Sequence, residues 1–320
     1  MSSTVPTDCA DADSRARPPA SAATGREVRR PARALPSNPM PGRPVHHHGV
    51  SRHHLNDGFA WSFLRPPFRR ISAGQAADYD ERGYFVMEDA FDADTVAALL
   101  AEIDPIERAL EDRLRLNEEG RAFIARADEI TFTTHLVARS TRLRQFAASP
   151  ILVDLCADLI GPDVRVYWDQ AVYKKPATDA SFPWHQDNGY AFVEPQQYLT
   201  CWIALSDATV DNGCPWVVPG LHKLGTLRHE PTEVGLVCLD HPPDALPVPV
   251  AAGSIVVFSS LTPHCTGPNR TGDTRKAYIV QYAAEGAEVL LTDGQKETER
   301  IRADAPDRQF PVLADGLPVA

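Results

Sequence analysis

Trp184-His185-Gln186-Asp187-Asn188-Gly189 sets a histidine and an aspartate two residues apart, and Thr262-Pro263-His264 supplies a second histidine much later in the chain. On an extended segment successive side chains alternate between faces, so His185 and Asp187 point the same way. Two imidazoles and one carboxylate on one side of an octahedral ion form the donor set that holds iron(II) with three positions open. Two of these suit a chelating 2-oxoacid and the third suits molecular oxygen, so the chemistry on offer is oxygen activation. A single histidine in a strand is more often a surface or hydrogen-bonded residue. The combination of His185, Asp187, His264 and then Arg275 carries the metal reading.

Arg275 completes the set. Asn269-Arg270-Thr271-Gly272 reads as a turn, and an antiparallel hairpin around it would place His264 opposite Arg275 on neighbouring strands. A guanidinium there would grip the far carboxylate of a 2-oxoacid bidentately. Thr266 shares the facing parity of His264 and can add a hydroxyl. Gln170 and Lys174 precede the metal motif with one parity and would reach co-substrate or substrate, whereas Tyr173 and Lys175 would face the other way. Cys265, next to His264, should turn its thiol to the opposite face as a small core residue behind the metal.

The order W-H-Q-D-N-G, then Thr200 to Lys223 (TCWIALSDATVDNGCPWVVPGLHK), then H-C-T-G-P-N and T-R-K-A-Y between His264 and Tyr278, resembles the phytanoyl-CoA dioxygenase family of iron(II)- and 2-oxoglutarate-dependent oxygenases. The resemblance runs from about Ser72 to about Tyr282. It implies iron on His185, Asp187 and His264, with 2-oxoglutarate on Arg275 and Thr266 and O2 as the other co-substrate. It also implies a double-stranded β-helix, the cupin-like jelly roll, with helices packed outside. In related halogenating enzymes a small residue replaces the carboxylate, so Asp187 points to hydroxylation or a related oxidation. Two other readings stand beside this one: a metal-binding jelly-roll sensor without turnover, and a cupin-like metal isomerase or hydrolase. The second leaves Arg275 unexplained.

The elements that must position these residues are legible in part. Ser72 should cap a short helix through Arg82 that Gly83 stops, and Tyr84–Met87 reads as a strand. Asp92 or Asp94 should open a long helix carrying Val96, Leu99, Leu100 and Ile103 on one face, kinked or divided by Pro105. Another helix is expected over about Pro150 to Ile160, ended by Gly161-Pro162. Beyond Gly161 short alternating strands at Val164–Trp168 and Thr200–Leu205, a buried run at Ser254–Phe258, and turns of the Asn-Gly and Pro-Gly kind favour a mainly β jelly roll. No glycine-rich phosphate loop supports a nucleotide fold. Trp168, Trp184, Tyr190 and Phe192 surround the metal motif in sequence and read either as an apolar substrate face or as barrel core.

Composition bounds the rest. The 320 residues are 43% hydrophobic, ordinary for a globular enzyme, and no apolar run is long enough to span a bilayer. Residues 1–70 hold 11 Arg and 5 acidic residues, so +6, leaving −17 for the remainder of a chain whose net charge is −11. That acidic body argues against nucleic acid as a partner. Ten of the 28 prolines fall in the first 67 residues, a composition unable to bury a core. Residues 1–55 are therefore expected to form an unfolded Pro/Arg/His-rich tail and 56–320 the oxygenase domain. In the tail, His46-His47-His48 with His53-His54 reads as a solvated linker or an opportunistic metal-binding segment. Six cysteines without C-x-x-C spacing read as free thiols in a reducing, cytoplasmic setting. The expected partner is a small, largely apolar metabolite or acyl thioester.

Overall fold

In the computed structural model, which describes residues 50–319 apart from Phe123, Gly294 and Gln295, Ser72 caps the helix α1 (Ala73–Arg82). The Ser72 hydroxyl accepts from the Gln75 N–H while the Gln75 side chain accepts from the Ser72 N–H, a reciprocal capping box. Gly83 ends α1 with φ 85°, and a Cβ there would press on the Thr262 hydroxyl and the His222 ring, so only glycine fits. The chain then enters β1 (Tyr84–Met87) and α2 (Ala93–Leu116), the latter opened by Asp92. Of the kink or break expected at Pro105, the break is absent: α2 runs through it. Buried Val96, Leu99 and Ile103 before it and Leu114 after it hold both halves to the body, and this packing outweighs one lost backbone hydrogen bond.

Next come β2 (Ile130–Thr134), α3 (Thr141–Ala147), α4 (Pro150–Leu159), β3 (Val164–Lys174) and β4 (Phe182–His185). They are followed by β5 (Leu199–Ala204), β6 (Pro215–Val217), β7 (Ile255–Ser259), β8 (His264–Thr266) and β9 (Arg275–Ala284). The major sheet orders them β1-β7-β5-β9-β3-β2, and a minor sheet runs Leu246–Pro247, β6, β8, β4. All these pairings are antiparallel. The protein is thus mainly β with outer helices, a jelly roll as expected.

Alternation on the strands explains why the major sheet is buried on both faces. Val172, Trp202, Ala204, Phe258, Ala277 and Ile279 point inward and pack against Val217 and Trp216 of the minor sheet. Ala171, Tyr173, Cys201, Ile203, Val257 and Tyr278 point outward into a second cluster with Leu99, Ile103, Leu143 and Leu152 of the helices. Lys175 and Tyr173 also face the helices: the Lys175 ammonium meets Glu107 at 2.6 Å and Glu111 at 3.3 Å, and the Tyr173 hydroxyl donates to Asp104 at 2.6 Å.

Residues 50–56 pack onto the barrel, which corrects the tail boundary expected at residue 55. The His53 N–H donates to Thr226 O at 2.9 Å, Arg52 bridges Leu227, and the buried Asn56 amide donates to Leu224 O and Thr226 O at 2.9 and 2.8 Å. The chain is tethered here by backbone and amide hydrogen bonds, which hydrophobic patterning does not reveal. The remainder of the expected tail, with His46-His47-His48 and Cys9, lies outside the described residues. The other five cysteines are free thiols, and among the described residues no helix is long and apolar enough to cross a membrane.

Candidate active site

The minor sheet brings the two histidines together. His185 ends β4 and His264 begins β8, the two are cross-strand partners, and their ring centroids stand 4.1 Å apart. Asp187 follows on a single 3-10 turn (Asp187–Gly189). Its Oδ1 lies 3.9 Å from His185 Nε2 and 3.7 Å from His264 Nε2. Donor atoms of all three residues lie within 4.8 Å of one another, close enough to share one ion.

The intervening residues of the motif hold it in place. Gln186 is fully buried, donating to Leu261 O at 2.5 Å and Gly225 O at 3.1 Å and accepting from the Leu227 N–H at 2.6 Å. Asn188 donates to the Thr226 hydroxyl at 2.7 Å and accepts from the Val193 N–H at 2.9 Å. At Gly189 a Cβ would run into the His229 imidazole, whose Nε2 accepts from the Gln186 N–H at 3.0 Å. Gln186 and Asn188 therefore anchor in the scaffold while His185 and Asp187 line the cavity.

The donor set is prepared electronically as well. His185 Nδ1 sits 2.8 Å from Pro183 O and His264 Nδ1 sits 3.0 Å from Thr262 O, contacts that place the ring proton on Nδ1 and free Nε2 as a lone pair. Burial, reinforced by the neighbouring His264, holds His185 well below the ordinary histidine range, so its neutral, metal-binding form is favoured. The three side chains fit a divalent iron: two neutral nitrogens, one carboxylate and an open side.

Arg275 reaches the same cavity by another route than the one expected. Its strand β9 pairs with β3 and β5 in the major sheet, whereas His264 lies in the minor sheet between β4 and β6. No hairpin joins them. The two residues face each other across the jelly roll, because the turn at Asn269–Gly272 carries the chain from one sheet to the other. Arg275 is 1% exposed, donates through Nη1 to Val172 O at 3.3 Å, and stands 5.4 Å from the Trp202 ring. Its Nε and Nη2 have no hydrogen-bond partner. Burial lowers its pKa to about 10, which still leaves a full charge near neutral pH.

Thr266 and Gln170 also line the cavity. Lys174, the cross-strand partner of Arg275, donates to the Thr266 hydroxyl at 3.0 Å and to the carbonyl of Gly267. Burial and then the Arg275 charge push the Lys174 pKa well down. Of the aromatics around the motif, Tyr190 stands against the site, edge-on to His185 at 5.4 Å. Trp168 packs on His135, and the buried Phe192 packs on His53. The apolar wall is instead Ile130, Phe132, Phe182, Trp202, Phe258 and Ile279. The sequence reading missed Phe132 and Phe182, whose rings meet at 5.2 Å, because nothing in one strand shows which residue of another it will face. It also missed the role of Thr200, whose hydroxyl donates to Asp187 Oδ2 at 2.5 Å. Strand parity with Trp202 was the available signal.

A jelly roll carrying a two-histidine, one-carboxylate cluster opposite a buried, half-partnered guanidinium has the layout of a non-haem iron oxygenase. The chain belongs to the phytanoyl-CoA dioxygenase (PhyH) family, whose sequence profile matches residues 79–277. Methylphosphonate hydroxylase of Gimesia maris is 31% identical over 157 residues, 48% of this chain and 58% of its own length. The chain thus spans under two thirds of that relative. The probable alpha-ketoglutarate-dependent hypophosphite dioxygenase of Stutzerimonas stutzeri is 27% identical over 262 residues, 76% of this chain and 90% of that one. EctD from S. alaskensis, solved with 2-oxoglutarate and 5-hydroxyectoine, shares the fold at a TM-score of 0.56 and 22% identity, covering 77% of this chain and 88% of that one.

Proposed function

We propose that this protein is an iron(II)- and 2-oxoglutarate-dependent dioxygenase that hydroxylates a C–H bond of a small, largely apolar molecule. His185, Asp187 and His264 hold the metal, and Arg275 with Thr266 binds the distal carboxylate of 2-oxoglutarate. The observation that carries this reading is Arg275: a buried cation with two unpartnered donors, opening on the same cavity as the triad. An unpaired buried charge costs several kcal/mol, so such a group implies an anionic ligand to complete it. The overall reaction converts 2-oxoglutarate and O2 to succinate and CO2, with one oxygen atom entering succinate and the other the product hydroxyl.

Iron(II), when bound, supplies the oxygen-activating redox chemistry that no side chain can. The protein's own residues do the rest. Arg275 fixes the co-substrate by a charge-assisted fork, and the Thr266 hydroxyl, already accepting from Lys174, has its proton free to donate to the same carboxylate. Ile130, Phe132, Phe182 and Ile279 exclude water from the reacting carbon. Tyr190, edge-on to His185, holds the hairpin Glu230–Val237 by accepting from the Leu236 N–H at 3.1 Å. With Arg275 committed to the co-substrate, that apolar wall offers no second cation, which favours an uncharged substrate over anions such as those in the names of the two sequence relatives. Gln170, half-buried in the wall, supplies one amide to orient it.

The test is anaerobic titration of 2-oxoglutarate into the iron(II)-loaded protein, followed by its metal-to-ligand charge-transfer absorption, and then succinate release against a panel of neutral and anionic metabolites. A charge-transfer band and succinate release stimulated by a neutral compound are expected. Absence of both the band and succinate would refute the reading and leave a metal-binding module.

A further inference from the structure

Asp187 is gripped from behind, and the grip comes from the opposite sheet. Thr200 on β5 is buried and its hydroxyl stands 2.5 Å from Asp187 Oδ2. Its cross-strand partner on β9, Gln281, is also buried and donates through Nε2 to Thr200 Oγ1 at 3.4 Å. A hydroxyl carries one proton, and since its oxygen already receives the Gln281 amide, that proton is directed to Asp187. The two histidine Nε2 atoms meanwhile approach the other carboxylate oxygen, Oδ1.

We infer that Thr200 is a positioning residue that makes Asp187 a one-oxygen ligand, with Gln281 orienting the Thr200 proton. This rests on the metal assignment proposed above. A carboxylate free to rotate can close both oxygens on a divalent ion and occupy one of the positions the co-substrate needs. With Oδ2 held by a short hydrogen bond, Oδ1 alone faces the site and three positions stay open. Outer hydrogen bonds of this kind orient ligands in metal sites, and their loss typically lowers metal affinity by about 10–100-fold. The relay also links the two halves of the site: the ligands sit on the minor sheet and its β4 loop, while their restraint sits on the major sheet, which also carries Arg275.

The variants Thr200→Val and Thr200→Ser in the full chain separate the hydroxyl from the shape of the side chain. Three quantities are read: the melting temperature without metal, the affinity for iron(II) or cobalt(II) by anaerobic calorimetry, and the visible absorption of the cobalt(II) protein, which reports coordination number. Thr200→Val should lower metal affinity about tenfold or more and shift the cobalt spectrum, and Thr200→Ser should restore both to within about threefold of the parent. Gln281→Leu should weaken metal binding in the same direction but less, and it stands in for Thr200→Val if that variant does not fold. A parental affinity and cobalt spectrum in Thr200→Val would overturn the proposal, as would a Thr200→Ser variant as impaired as the valine. The dioxygenase reading fails separately: a wild-type protein that binds metal but never 2-oxoglutarate sinks that reading while the Thr200 comparison still decides this one. A wild-type protein that takes up no metal sinks both.

Discussion

Arg275 concentrates the energetics of the site in one residue. Its guanidinium is desolvated, keeps one hydrogen bond to Val172 O, and holds two donors in reserve. Arg275→Gln should therefore weaken 2-oxoglutarate binding by on the order of 2–5 kcal/mol while the iron still binds, because charge and fork disappear together. Arg275→Lys should fall between, since an ammonium supplies charge without planar geometry. Shorter 2-oxoacids that lack the distal carboxylate should lose little in either variant. Anaerobic charge-transfer titrations measure all three, and an unchanged 2-oxoglutarate affinity in Arg275→Gln would remove the co-substrate assignment. The ligands themselves predict the complementary pattern: His185→Ala, Asp187→Ala or His264→Ala should abolish stoichiometric iron binding with the metal-free fold kept. Three such variants that all bind one iron and turn over would place the site elsewhere.

At the scale of elements, local chemistry and long-range placement separate cleanly. Ser72, Gly83 and Asp92 act on their own neighbours, so the starts of α1 and α2 and the end of α1 could be read from sequence. The parity of Gln170, Lys174, Tyr173 and Lys175 was legible for the same reason, since it needs one strand only. The placement of β8 and β9 in different sheets was not. A turn sequence says that the chain reverses but not into which sheet it returns, and here it returns into the facing one. Residues 50–56 were illegible too, because their attachment runs through backbone hydrogen bonds, the amide of Asn56 and the His53 ring against Phe192. A deletion pair tests that attachment. Removing residues 1–49, whose composition cannot build a core, should leave the melting temperature and activity nearly unchanged. Extending the cut through Asn56 removes the buried hydrogen bonds to Leu224 and Thr226, each worth about 1 kcal/mol net, and strands the carbonyls that accepted them. A drop of several degrees is expected for the longer deletion alone, and equal melting temperatures would show that the segment contributes nothing.

For the whole molecule, the buried histidines make stability depend on pH in a window set by their environment. His222 is fully buried, its Nε2 donates to Asp80 O at 3.3 Å, its Nδ1 has no hydrogen-bond partner, and Trp61 stands edge-on at 4.4 Å. Burial holds His222 at about 4, and burial does the same to His229. Both bind a proton more tightly when the chain unfolds, so the stability they permit is complete above about pH 6.5 and is lost as pH falls toward 4. Asp169 runs the other way. Burial raises its carboxyl to about 6 despite hydrogen bonds from the Tyr278 hydroxyl and the Val137 N–H, so protonation in the folded state adds stability as pH falls from 6. Between about pH 7.5 and 5 each histidine should cost about 2 kcal/mol and Asp169 should return about 1.4 kcal/mol, so the loss wins. Urea unfolding of the metal-free protein at the two pH values measures the balance. His222→Gln, which cannot take up a proton, should remove the contribution of about 2 kcal/mol from His222 and flatten the dependence. A metal-free protein as stable at about pH 5 as at 7.5, or a His222→Gln variant with an unaltered slope, would mean that His222 is not held neutral by its surroundings.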